Sequence, residues 1–227
     1  GDMEMDVNEC MRLIAEKAGS GSRLGLERER RLLELLGQPQ RRTCFVHIAG
    51  TNGKDSAAAM LSSILTAAGY RTGLYTSPHL LSLMERIRIN GWEISGQDFC
   101  RAAEKCLACM EKMDEKPTEF ELITAMAFLH FAESGCDIAV IEVGLGGRLD
   151  ATNVIDEPEA AVIVIMNIGL EHTELLGDTV EKIAREKAGI IKPGCGIAVY
   201  PVSDGVTEVY EKVSAEEGAR LRIADFS

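Results

Sequence analysis

Short, mostly apolar runs alternate along this chain with longer segments whose apolar residues recur every three or four positions. Thr43–Ala49 (TCFVHIA), Thr72–Tyr75, Asp137–Val143 (DIAVIEV), Ala160–Met166 (AAVIVIM), Gly196–Tyr200 and Arg220–Ala224 read as strands. Those with no polar face are the kind buried on both sides. Leu26–Leu36 carries leucines at 26, 32, 33, 35 and 36 among charges, which predicts an amphipathic helix ended by Gly37 and Pro39. Ala57–Ala68 (closed by Gly69), Gly96–Lys112, Glu119–Glu133, Val180–Ala188 and Val206–Glu217 are further helices. Arg86–Asn90 and Trp92–Ile94 flank Asn90-Gly91, the strongest short hairpin signal. Apolar strands separated by helices predict an α/β fold, a mostly parallel sheet covered by helices on both faces. Ligands of such sheets bind at the carboxyl ends of the strands. No repeat, low-complexity tract or internal boundary interrupts the pattern, so the 227 residues read as one domain.

Composition adds exclusions. With 46% hydrophobic and 26% charged residues the chain can fill a core and cover it. No run reaches the ~18 apolar residues that would suggest a membrane span. The opening GDMEMDVNEC is acidic and lacks the basic and apolar regions of a secretory signal; Gly1 and Asp2, ahead of Met3, read as a cloning remnant. A net charge of −12 argues against a nucleic-acid partner. The densest basic run, Arg28, Arg30, Arg31, Arg41 and Arg42, is interrupted by acids and reads as a solvated helix face and adjoining loop. A nucleotide carrying Mg²⁺ stays compatible, because the cation screens the triphosphate. The seven cysteines, Cys10, Cys44, Cys100, Cys106, Cys109, Cys136 and Cys195, are odd in number and scattered, which fits reduced thiols in the cytoplasm. Cys106 and Cys109 lack the second pair a zinc site needs and read as two residues on one helix face.

The turn after the first strand carries the chemistry. His47-Ile48-Ala49-Gly50-Thr51-Asn52-Gly53-Lys54-Asp55-Ser56 lies between strand and helix. Glycines let backbone N–H groups converge on phosphate oxygens. The helix N-terminus adds partial positive charge, and Lys54 a full one. Gly50, Thr51, Asn52, Gly53, Lys54 and Ser56 are therefore the nucleotide-binding candidates; the plainer alternative is an ordinary tight turn. The strict Walker pattern is not met, since Ile48 stands where it has glycine and Asp55 where Ser or Thr follows the lysine. A carboxylate ~5 Å from phosphate charge costs on the order of 1 kcal/mol, so Asp55 either faces solvent or weakens binding.

Four more segments accompany that loop. They are Gly73–Leu80 (GLYTSPHL) with Glu85-Arg86-Ile87 and Ile89-Asn90-Gly91; Thr118-Glu119-Phe120-Glu121; Ile141–Asn153 (IEVGLGGRLDATN); and Asn167–Thr173 (NIGLEHT) through Gly177 to Glu186–Lys192 (EKAGIIK). In this order they resemble the folate branch of the Mur ligase superfamily, the folylpolyglutamate and dihydrofolate synthases, over residues 20 to 227. That branch reads GTNGKGS, so Asp55 replaces a glycine, and it has Asp where Glu171 precedes His172. The resemblance implies a P-loop NTPase-like fold, ATP as co-substrate and two Mg²⁺ sites. It assigns Ser77 and Glu142 to one Mg²⁺ and His172 to a metal, and matches Lys187 to a lysine carbamylated to N6-carboxylysine that ligates the second. Lys54, His172 and Lys187 are the implied catalytic residues. Arg23, Leu24, Gly25, Thr118, Phe120, Glu121, Leu149, Asp150 and Ala151 are the implied substrate contacts.

Taken singly, these residues admit other readings. Glu142 ends a buried strand, where an unpaired carboxylate is costly and a hard cation would neutralise it. A lone His172 is more often structural. Arg148 and Asp150 could pair with each other. Lys187, among Glu181, Lys182, Arg185 and Glu186, has the composition of a surface lysine, whereas reaction with CO₂ needs a buried neutral amine. The reaction implied is ATP-dependent addition of glutamate to a folate or dihydropteroate carboxylate through an acyl phosphate. The chain is then expected to be an ATP-binding domain lacking the family's C-terminal glutamate-side domain, inactive alone and monomeric at full length. The alternatives are an inactive nucleotide-binding module of the same fold and a generic P-loop kinase or GTPase.

Overall fold

The computed structural model describes residues 6–21, 23–170 and 172–225; Gly1, Asp2, Met3 and Glu171 lie outside them. In chain order the elements are α1 (Val7–Lys17), α2 (Glu27–Leu35), β1 (Cys44–Ala49), α3 (Lys54–Ala67), β2 (Thr72–Tyr75), β3 (Ile87–Ile89), β4 (Trp92–Glu93), α4 (Gly96–Met110), α5 (Glu119–Glu133), β5 (Ile138–Glu142), β6 (Ala160–Ile165), α6 (Thr173–Leu176), α7 (Val180–Ala188), β7 (Gly196–Val199), α8 (Asp204–Glu216) and β8 (Arg220–Ile223). They build one eight-stranded sheet in the order β4-β3-β2-β5-β1-β6-β7-β8. From β2 to β8 all pairings are parallel; β3 and β4 add an antiparallel hairpin at one edge. Its turn residues Asn90 and Gly91 both have positive φ, 51° and 82°, as a type I′ turn requires.

The register sets the stage for a site. Ile48 on β1 pairs with Glu142 on β5 and with Val164 on β6, so these strands end level at their carboxyl ends. From β1 the chain crosses to β2 on one side and later continues from β6 on the other. That reversal opens a crevice at the strand ends. Helices pack on both faces, and Ala161 and Val162 of β6 stay exposed. Ala57, Ala58, Leu61 and Leu65 of α3 pack on Val46, Ile48, Leu74 and Val140. The main core, with α1, α2, α4, α5, α7 and α8, fills the other face, where Phe45 and Phe128 meet edge to face at 5.4 Å.

Several elements were not anticipated. Helix α1 is capped by Asp6, which accepts from the Glu9 N–H, and buries Cys10 and Ile14. The 3-10 turns at Pro39–Arg42, Leu83–Arg86 and Ala151–Val154, and the four-residue α6, are too short to show a period. The basic run also needs correction. Arg31, Arg41 and Arg42 are exposed, but Arg30 pairs with Asp156 at 2.8 and 3.0 Å. Arg28 is buried against Glu121, its Nε 3.1 Å from both carboxylate oxygens and Nη2 2.9 Å from Oε1. Cys106 is buried, and the Cys109 thiol donates to the Leu35 carbonyl, 3.5 Å away, so this pair builds helix packing.

Glu29, beside Arg28 on α2, is fully buried, and neither carboxyl oxygen has a hydrogen-bond partner. Burial, then the carboxylates of Glu121 and Asp150, push its pKa well above the ordinary 4.5. The folded state therefore holds a proton that the unfolded chain releases. Stability from this group is intact below about pH 4.5 and is lost as pH rises toward the folded value. Glu29→Met should stabilise the protein by on the order of 1–3 kcal/mol at pH 8, and less at pH 5. Thermal melts at both pH values test this; a gain independent of pH would contradict it.

Candidate active site

The phosphate loop leaves β1 at Gly50, whose φ is +152° and where an added Cβ would sit 2.7 Å from Met166 Cβ. A side chain there would force the loop off the neighbouring chain. Thr51 is braced from the other side: its N–H donates to the Asn167 carbonyl at 2.8 Å, and its hydroxyl bridges the Gly169 carbonyl (3.2 Å) and N–H (3.1 Å). Asn52 bridges to Asn167. Helix α3 begins at Lys54 with Gly53 as a cap that offers no side-chain hydrogen bond. Its first-turn N–H groups thus have no side-chain acceptor, the arrangement that suits a phosphate. Lys54 is half-buried, its Nζ 3.3 Å from the Thr51 carbonyl. Asp55 and Ser56 follow in the first turn and are exposed.

Next to this loop lies a cavity of about 130 Å³ lined by Gly50, Lys54, Ser77, His172 and Lys187, with Pro78 and Val143–Gly146. Lys187 corrects the composition-based reading: it is 2% exposed, and its Nζ donates to the Gly50 carbonyl at 3.1 Å. His172 is exposed, has φ 44° and stands at the N-cap of α6. Glu142, at the end of β5, is buried and accepts from the Ser77 N–H at 3.1 Å. Burial raises its pKa, as do Asp55 and Asp150; the Ser77 N–H and the Lys54 charge oppose the rise. Among the described residues no group of three or more His, Cys, Asp or Glu side chains is placed to hold a metal ion. A single buried carboxylate, bonded to the Ser77 backbone, suits Mg²⁺, which takes few protein ligands and completes its shell with phosphate and water.

A larger cavity of about 460 Å³ shares Ser77, Pro78, Gly144 and Leu145 with the smaller one. Arg23, Leu24, Thr118, Phe120, Glu121, Leu149, Asp150 and Ala151 all line it. Gly25 does not, but its N–H reaches the Leu149 carbonyl at 3.3 Å. Gly144 allows the Phe120 ring to close one wall, since a Cβ there would meet Cζ at 2.4 Å. Two of the wall carboxylates, Glu121 and Asp150, are already engaged. Glu121 takes Arg28 and the Thr118 N–H (2.7 Å). Asp150 takes the N–H groups of Thr152 (3.0 Å) and Leu145 (2.8 Å). Burial raises the Asp150 pKa against these bonds. Arg148 pairs with Glu186 at 2.9 Å rather than with Asp150.

Two parts of the wall were missed. One is the end of α1 and the following segment, Ala15 and Ala18 to Gly21. The spacing of Val7, Met11 and Ile14 was its only sequence signal. The other is Arg86, which lines the cavity and whose Nε donates to His79 Nδ1 at 3.0 Å.

Residues 48–227 match the Mur ligase middle domain. The chain is 44% identical over 193 residues to the dihydrofolate synthase/folylpolyglutamate synthase of Bacillus subtilis, covering 83% of this chain and 43% of that protein. Among solved structures it is similar to Mycobacterium tuberculosis folylpolyglutamate synthase complexed with ADP (TM-score 0.88, 37% identity, 97% of this chain and 50% of that one). It is likewise similar to E. coli FolC in complex with DHPP and ADP (TM-score 0.87, 35% identity, 96% and 51%). The chain spans about half the length of the curated relatives it matches. It belongs to the folylpolyglutamate and dihydrofolate synthase family of the Mur ligase superfamily.

Proposed function

We propose that this chain is the ATP-binding half of an ATP-dependent ligase that adds L-glutamate to a dihydropteroate or folate carboxylate. The observation carrying this reading is the continuity of the two cavities through Ser77, Pro78, Gly144 and Leu145. A flat aromatic acceptor fits the larger, Phe120-walled cavity and directs its carboxylate toward the phosphate loop. The carboxylate attacks the γ-phosphorus, ADP leaves, and the acyl phosphate forms; the glutamate amine then attacks the acyl carbon and expels phosphate. Lys54 and the α3 N-terminus hold the phosphates and offset their charge. Glu142, Ser77 and His172 would hold Mg²⁺, which neutralises charge on the transferred phosphoryl group. The buried Lys187 amine is the group for carbamylation: its nitrogen bonds CO₂ and releases a proton, leaving a carbamate anion able to ligate a second Mg²⁺. We place the glutamate-side contacts in the half of the relatives' length that this chain does not span. All seven cysteines are free, which supports a cytoplasmic setting.

Calorimetric titration of the chain with Mg-ATP, Mg-GTP and dihydropteroate tests the reading. ATP and dihydropteroate should bind together and GTP should not, with no glutamate-dependent ADP release from this chain by itself. Preference for GTP, or displacement of dihydropteroate by ATP, would refute the two-cavity arrangement.

A further inference from the structure

A chain of buried polar groups joins the phosphate-loop strand to the wall between the two cavities. His47 on β1, three residues before Gly50, is fully buried. Its Nε2 lies 2.8 Å from the Thr152 hydroxyl oxygen. That hydroxyl donates its one hydrogen to Asp150 Oδ1, so toward His47 it can only accept. The imidazole therefore carries its proton on Nε2 and leaves Nδ1 bare, and Nδ1 has no partner. Burial, helped by the Lys192 charge, holds the ring neutral, with its pKa down to about 3. Asp150 passes the connection on, because its Oδ2 accepts the N–H of Leu145, which lines both cavities. An imidazole buried with one nitrogen unsatisfied is a costlier core residue than an aliphatic side chain. What distinguishes it here is the single directed donor.

We propose that His47 and Thr152 are positioning residues: the Nε2–H of His47, relayed through the Thr152 hydroxyl, fixes the Asp150 carboxylate and with it the Leu145 backbone, so that the wall shared by the two cavities is held in register with the phosphate loop. The consequence for ligand rests on the proposed function above; the consequence for the wall does not. On binding, His47→Leu should weaken dihydropteroate about five- to tenfold, the effect of one hydrogen bond, and leave Mg-ATP within about twofold. His47→Gln, whose side-chain amide keeps a donor near the Nε2 position, should restore affinity. Thr152→Val should weaken dihydropteroate by a similar factor, and the double variant His47→Leu/Thr152→Val should be no worse than Thr152→Val, because both act through one path. Thermal melts identify any variant that fails to fold.

The ligand-free readout is hydrogen exchange at the Leu145 amide, which should speed up about tenfold in His47→Leu and return to the native rate in His47→Gln. If the unaltered chain does not bind dihydropteroate, the functional reading fails and exchange alone decides the positioning role. Unchanged Leu145 exchange in a folded His47→Leu variant, no rescue by glutamine, or losses that multiply in the double variant would each overturn it.

Discussion

Lys54→Ala should remove measurable Mg-ATP binding to this chain. Lys54 and Lys187 are the two amines lining the smaller cavity, and Lys187 is directed at the Gly50 carbonyl. Lys54 is therefore the flexible cation that can turn from the Thr51 carbonyl onto an incoming phosphate. A unit charge ~4 Å from another is worth about 4 kcal/mol at an effective dielectric constant near 20. Even after screening, a loss of roughly 3 kcal/mol is about 100-fold in affinity. Asp55→Gly should act in the opposite sense by the same physics. Its carboxylate is exposed, so the relief is that of a solvated charge, on the order of 1 kcal/mol or about fivefold tighter binding. Calorimetry on both variants decides the matter. Unchanged affinity in Lys54→Ala would refute the phosphate-loop assignment, and unchanged affinity in Asp55→Gly would mean its charge is fully screened.

How far the sequence reveals this site depends on whether a residue's role follows from local pattern. Helix α5 runs over the expected Glu119–Glu133 because Thr118 and Glu121 form a capping box ahead of an unbroken apolar stretch. Strands β1 and β5 are legible because parallel strands covered on both faces are nearly continuous apolar runs; β6 is as apolar, although Ala161 and Val162 are exposed. Charged residues on the core side of helices were not legible. Lys187 lies in phase with Ile183 and Ala184, both buried. Arg28 and Glu29 lie in phase with Leu32 and Leu33. The helical period places all three inside, whereas their charge argues for the surface. Burial of such groups depends on partners far along the chain: Glu121 for Arg28 and Gly50 for Lys187. No local window contains those partners. The relay from His47 was hidden for the same reason, since Thr152 is 105 residues away.

Arg28→Met should destabilise the protein by roughly 3–5 kcal/mol, the usual cost of stranding one member of a buried ion pair. At about 2–4 °C per kcal/mol for a chain of this size, the melting temperature should fall by roughly 10 °C. Arg28 supplies three hydrogen bonds to Glu121 and one, at 2.8 Å, to the Arg23 carbonyl. Without it Glu121 keeps the Thr118 N–H but stays buried near the carboxyl group of Glu29. The damage is therefore a stranded negative charge, and removing that charge should repair most of it. Arg28→Met/Glu121→Leu should recover more than half of the lost stability, less about 1 kcal/mol for the broken capping box. It should do so without restoring the larger cavity, because Glu121 lines that wall and Arg28 ties α2 to the segment holding Arg23 and Leu24. Denaturant melts separate these effects from a change in compactness, which would alter the m-value. An Arg28→Met variant within about 1 kcal/mol of the native protein would mean the pair behaves as a solvated surface bridge. A double variant no more stable than Arg28→Met would mean that lost packing, and not stranded charge, sets the cost.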